Sequence, residues 1–444
     1  MDDLPHELVC AVFERVDRPT LSILCCVTSL WTSLIRGHIA KENRNNNGGM
    51  GVIDYARGLA ERGRWALLEW FVDAVVRFDG IRDAIETMAC SHAARMGNLT
   101  RLRRFRKRGY AWNRDATCSA ASGGQLDTLM WLRAKGCPWD GDACAYAARD
   151  GHYDLLKWAR ENGCPWDERV AASIARSGRL DMMRWAHAIG CPWSECTCAL
   201  AAAGGHVDML CFLHENGCPW DERTCTEAAR RGHLNVLEWA MAKGCPRDER
   251  VIQNKAARHG HLHIVKWLRL NAAETDGVCH AAAKGGHLDI IQWASRHGYW
   301  MDNGVCEEAA ARGHLEVLQW VLANVCLYDP YICASAAYTA QLHVLRWLHE
   351  QDYPWESSAC ASAARQGHLH VLQWLRANGC PWDSDTCYYS VQYKRLDVLV
   401  WARENGCPWR PSTYIDALES SDPAIAQWAR AQAPPTRFRR TLVL

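Results

Sequence analysis

The sequence predicts an all-α fold, an α-solenoid of about 14 helix-turn-helix repeats behind a small helical module. Three observations carry this. A glycine-led segment returns at a fixed interval, each interval holds two apolar stretches of helical period, and tryptophan and cysteine recur at fixed places within it. Gly151-His152-Tyr153-Asp154-Leu155-Leu156-Lys157-Trp158 returns from Gly178, from Gly205 and from Gly232, each step 27 residues. The phase continues, with one step of 28 and one of 26, through Gly260, Gly286, Gly313, Ala340, Gly367 and Lys394, and runs back through Gly124 and Gly97. Weaker copies stand around Gly63 and Trp428.

Within one unit the elements follow from residue chemistry. Asp221 is placed to cap a first helix running through Cys225, Ala228, Ala229 and Arg230, and Gly232 ends it in a left-handed backbone. A second helix, from about Leu234 to Ala242, turns Leu234, Val236, Leu237 and Trp239 inward. Lys243-Gly244-Cys245-Pro246 stops it, because glycine fits past a helix end and proline cannot continue the ladder. A unit this short cannot bury its own apolar face, so neighbours must stack.

Stacking also accounts for composition. The 444 residues include 23 Cys and 23 Trp but only 6 Phe. Most cysteines fall in two slots, one in the turn (Cys137, Cys164, Cys191, Cys218, Cys245, Cys380, Cys407) and one in the first helix (Cys144, Cys198, Cys225, Cys279, Cys306, Cys333, Cys360, Cys387). Tryptophans fall seven residues after the repeat glycine and again after the turn proline. Both are expected as packing residues, the thiols reduced. The sequence holds no Cys-x-x-Cys pair, so no metal site and no cofactor are expected. The histidine after the repeat glycine is expected to bond backbone.

No Gly-x-Ser-x-Gly, phosphate-loop or dinucleotide pattern appears, and one slot filled many times is architecture, so no enzyme is expected. With 51 basic against 50 acidic residues the net charge is +1, from which no nucleic-acid partner is expected. The start Met1-Asp2-Asp3-Leu4-Pro5 lacks a secretory signal, and no window is apolar enough to span a membrane, so an intracellular protein without a membrane partner is expected.

The pattern Ala147-Ala148-Arg149-Asp150-Gly151-His152, repeated as Ala363-Ala364-Arg365-Gln366-Gly367-His368, resembles the ankyrin repeat. Ankyrin units are longer and open Thr-Pro-Leu-His, so the resemblance implies stacked helix pairs with trimmed loops. Short Gly-Cys-Pro-Trp-Asp units look like the ankyrin-type repeat proteins of giant DNA viruses, which implies the host cytoplasm. Before the array, Leu4-Pro5-His6-Glu7-Leu8, Phe13, Leu21, Val27 and Trp31 resemble the F-box. That resemblance implies docking of Leu4, Pro5, Leu8, Phe13, Leu21, Val27 and Trp31 onto the Skp-type adaptor of a cullin-RING ubiquitin ligase.

The domains expected are therefore an F-box-like module over 1–42, an Asn/Gly-rich linker over 43–56, the repeat array over 57–432 and a basic tail over 433–444. The expected function is a monomeric substrate receptor of such a ligase, the array binding a protein target. The alternative is a repeat-only binding scaffold or host-factor decoy with no ligase link. The candidate target face is the slot two before the repeat glycine: Arg149, Arg176, Arg230, Arg258, Lys284, Tyr338 and Arg365. Cations there also complement a helix carboxyl end.

Overall fold

Every repeat is made of two short helices, and the computed structural model describes them over residues 50–74, 79–271, 276–325 and 329–432. Among the described residues all regular structure is helical, with no strand. The chain forms two compact units, Met1–Trp220 and Asp221–Leu444. The first holds six helix pairs, from Met50–Glu61 with Trp65–Ala74 to Glu195–Gly204 with Val207–Glu215; the second holds eight, from Glu222–Arg231 with Leu234–Ala242 to Pro411–Leu418 with Pro423–Ala431. The F-box-like segment 1–42 and the tail 433–444 lie outside the described residues. Helix Met50–Glu61 begins inside the stretch expected as linker.

Several first helices open on a side-chain cap. Asn113, Asp140, Asp167, Asp221 and Asp383 each accept a hydrogen bond from the amide two residues on, which satisfies one of the open donors of the first turn. Most first helices then bury an alanine pair and a cysteine: Cys144, Ala147 and Ala148, or Cys225, Ala228 and Ala229, are all 0% exposed, whereas helix Ser384–Gln392 buries Cys387, Ser390 and Val391. Small residues let neighbouring first helices approach closely. Second helices bury a pair of aliphatics and one more residue a turn later, as Val236, Leu237 and Ala240 do. The turn cysteine closes the unit, its thiol donating to the carbonyl of the cap residue, Cys164 to Asp140 and Cys407 to Asp383 at 3.3 Å.

Consecutive units are tied through the repeat histidine. Its Nε2–H reaches the carbonyl at the end of the preceding first helix: His206 to Arg176 at 3.2 Å, His261 to Arg230 at 3.0 Å, His368 to Tyr338 at 3.2 Å. The bond is therefore between units, not within the turn. It also explains why the slot it crosses is glycine. Gly178 has φ +72°, and a Cβ there would stand 2.4 Å from His206. Gly190, at φ +75°, has open space around it.

The indoles differ from expectation. Most of those described are half-buried, and the core proper is mainly alanine, cysteine, valine and leucine. Turn indoles meet the second-helix indole of the next unit edge to face, as Trp139 does Trp158 and Trp382 does Trp401, at centroid distances of 6.0 and 5.9 Å. On its other side lies a cation: Arg133 is 4.2 Å from the Trp139 ring and Arg376 4.3 Å from Trp382, while His187 stacks on Trp193 at 4.3 Å. An indole's apolar body covers the seam between units while its rim stays wet. One cysteine also departs from the all-thiol expectation: Cys306 is disulfide-bonded.

Three predictions follow from this packing. Gly178→Ala lowers stability by more than Gly190→Ala, which carries only the left-handed backbone cost of about 1 kcal/mol; urea unfolding of the two variants, compared as midpoints, reads the difference. Burial pushes the Cys279 and Cys333 thiols up to about 12, so iodoacetamide at pH 8 leaves them unmodified in the folded chain and labels exposed Cys196 first. Peptide mapping before and after unfolding distinguishes them.

Burial also holds the His261 and His368 imidazoles below their ordinary 6.5. The folded chain then binds these protons less readily than the unfolded one, so their contribution is complete above pH 6.5 and is lost as pH falls through the lowered folded values. The urea midpoint is higher at pH 7.5 than at 5.5. Replacing both by Gln, the residue that fills this slot at 125 and 341, shrinks that gap.

Candidate functional site

The candidate target-face residues occupy the last turn or final position of their first helices, where the charge of the arginines and Lys284 complements the exposed carbonyls. Their partners differ. Arg149 pairs with Asp150 at 2.9 Å and lies over the Tyr146 ring, and Arg230 forks onto Glu227 of its own helix. Arg176 lends its carbonyl to His206. Tyr338 and Arg365 come together: the guanidinium stands 5.7 Å from the Tyr338 ring and 4.8 Å from that of Tyr393, with Tyr389 on a further side. The adaptor-docking candidates Leu4, Pro5, Leu8, Phe13, Leu21, Val27 and Trp31 lie outside the described residues.

Arg258 and Lys284 meet in a different way, on the wall of a cavity of about 670 Å³ in the second unit. First helices Glu249–Arg258 and Val278–Gly285 form its sides, and Tyr299, Trp300 and Asp302 of the following turn form its end. Arg250, Lys255, Arg258 and Lys284 face two carboxylates, Asp276 and Asp302. Of these groups Lys284 is held by Glu308 at 2.7 Å and Asp302 by His280 at 2.9 Å. No ion pair among the described residues involves Arg250, Lys255 or Arg258. Asn254 contributes a buried Oδ1 without a hydrogen-bond partner.

This cavity exists because the repeat is broken there. The regular turn places Cys, Pro and Trp after the glycine; here Gly298 is followed by Tyr299, Trp300 and Met301. Tyr299 packs on Trp293 and its hydroxyl accepts from buried Gln253 at 3.1 Å, which fills the cysteine slot. Trp300 falls in the proline slot and is 78% exposed, unlike the half-buried indoles elsewhere. Arg250, Asn254 and Trp300 are not found by reading the slot two before glycine. The signal that finds them is the turn without Cys-Pro-Trp, next to the two irregular repeat steps.

Among the described residues no three His, Cys, Asp or Glu side chains gather as metal ligands, and no helix is long and apolar enough to cross a membrane.

No protein-family profile matches the chain, and no curated protein matches it. Solved structures do. The pentatricopeptide repeat protein PPR10 in complex with an 18-nucleotide psaJ RNA element aligns over 96% of this chain and 72% of its own, at 12% identity and a TM-score of 0.36. PPR10 from maize aligns over 97% and 79%, at 12% identity and 0.30. The human ASB11 ankyrin repeat domain aligns over 48% of this chain and 99% of its own, at 20% identity and 0.30. The likeness is to helical-repeat proteins as a class.

The expectation of no nucleic-acid partner is corrected by these matches, since one of them holds RNA. It rested on total charge, which hides local collections of cations. Helix Leu99–Lys107 carries Arg101, Arg103, Arg104, Arg106 and Lys107, of which Arg101 and Arg104, with the following Arg108, turn onto the buried Glu69 carboxylate. Arg103 and Lys107 face solvent.

Proposed function

We propose that this chain is a protein-interaction protein that holds a target on the ends of its first helices and presents it to a cullin-RING ubiquitin ligase through residues 1–42. The observation that carries the binding role is the contrast between slots. Alanine, cysteine and leucine positions repeat from unit to unit, whereas the exposed last turn holds Arg149 in one, Ala203 in another and Tyr338 in a third. Uniform slots stack the units; differing ones on the outside can distinguish partners. A helical-repeat fold supports a scaffold rather than a reaction centre. The ligase role is supported by the Leu4-Pro5-His6-Glu7-Leu8, Val27 and Trp31 pattern alone. Such a receptor performs no covalent step and acts by raising the local concentration of its target.

The test is affinity capture of the tagged full chain from a eukaryotic lysate with mass spectrometry. A cullin is captured with the wild type and lost with Leu8→Ala/Trp31→Ala, whereas the target is kept by that variant and lost with Arg149→Glu/Arg176→Glu/Arg365→Glu. Capture of the target without any cullin refutes the ligase role and leaves a repeat-only scaffold or decoy.

A further inference from the structure

The cavity in the second unit presents three unlike features within one small volume. Arg250, Lys255 and Arg258 project from one helix without forming an ion pair among the described residues, although the array supplies partners to Arg149, Arg230 and Lys284 at comparable places. Trp300 stands out into solvent beside them, with Val251 39% exposed on the same side. On the wall Asp276 is a carboxylate without an ion-pair partner among the described residues. Cations without an ion-pair partner suit anions, a bare indole an apolar group, and an unpaired carboxylate a donor.

From this we infer that the cavity is a docking site for an acidic peptide segment, its carboxylates on Arg250, Lys255 and Arg258, a main-chain N–H on Asp276 and an apolar side chain on Trp300. The inference rests on the proposed binding role and names the chemistry of what is bound. A peptide fits all three features at once, because its backbone carries a donor at each residue. An RNA strand also offers the cations what they lack, but it carries a phosphate at every nucleotide and so sets an anion against Asp276, where a peptide can place a main-chain N–H; the wall favours a peptide. Lys284, already held by Glu308, and Asp302, held by His280, bound the site and set a limit on how many acidic groups it accepts.

The experiment is fluorescence anisotropy with the full chain and a labelled octapeptide of Asp and Glu carrying one central Leu. Its controls are the Asn/Gln counterpart and an eight-nucleotide oligouridylate. The acidic peptide binds, the amide counterpart binds at least about tenfold more weakly, and affinity falls as salt is raised through about 0.15 M, where charges more than about 8 Å apart are screened. Arg250→Gln/Lys255→Gln/Arg258→Gln weakens binding about tenfold or more, as expected of three partly exposed ion pairs. Trp300→Ala weakens it severalfold without a change in urea midpoint, since that ring touches solvent and not core. Equal affinity for the amide peptide, tighter binding of the oligouridylate, or acidic-peptide binding unaltered by the triple variant overturns the inference. Each of these leaves the capture experiment on Arg149, Arg176 and Arg365 untouched, so the two readings fail separately.

Discussion

Close approach of one first helix to the next is the constraint on which the other features depend. It demands alanine where a larger side chain would hold the helices apart, and cysteine where a small apolar residue must also reach a carbonyl. It demands glycine at the helix end, where a histidine from the next unit arrives. Because these requirements recur once per unit, the sequence shows them as periodicity. Stability in such a stack is close to a sum of unit and neighbour terms, which is why single slots such as Ala340 and Lys394 can depart from glycine at positive φ without ending the array.

Function, on this account, occupies what packing leaves over. The last turn of each first helix needs only a group that tolerates exposed carbonyls, and an arginine, an alanine or a tyrosine will do. Cations there complement the helix carboxyl end, and in the proposed function they also meet a partner. In the proposed site beside Trp300 one turn abandons its regular residues: a tyrosine replaces the cysteine, a methionine stands in the indole slot, and an indole in the proline slot is exposed to solvent.

Much of this was legible in the sequence. The second helix expected from Leu234 to Ala242 has those bounds, and Asp221 and Gly232 cap as their chemistry requires. The tryptophans were legible as helix-face residues but not as half-buried ones, because spacing places a residue on a face without saying whether it sits at the centre or the edge. The division at Trp220 leaves no mark on the period, and neither does the disulfide at Cys306. Charge misled for a similar reason: a sum over 444 residues carries no information about where Arg101 and Arg104 point, and the search for a single cationic slot passed over Arg250 and Trp300, which belong to a break in the repeat.

Hydrogen exchange of the full chain, followed by mass spectrometry, tests the close stacking most directly. Amides around the alanine pairs Ala147-Ala148, Ala228-Ala229, Ala282-Ala283 and Ala363-Ala364 should all be strongly protected, while the turns after the second helices exchange early. Fast exchange at these alanine pairs, comparable to that of the turns, would contradict the account.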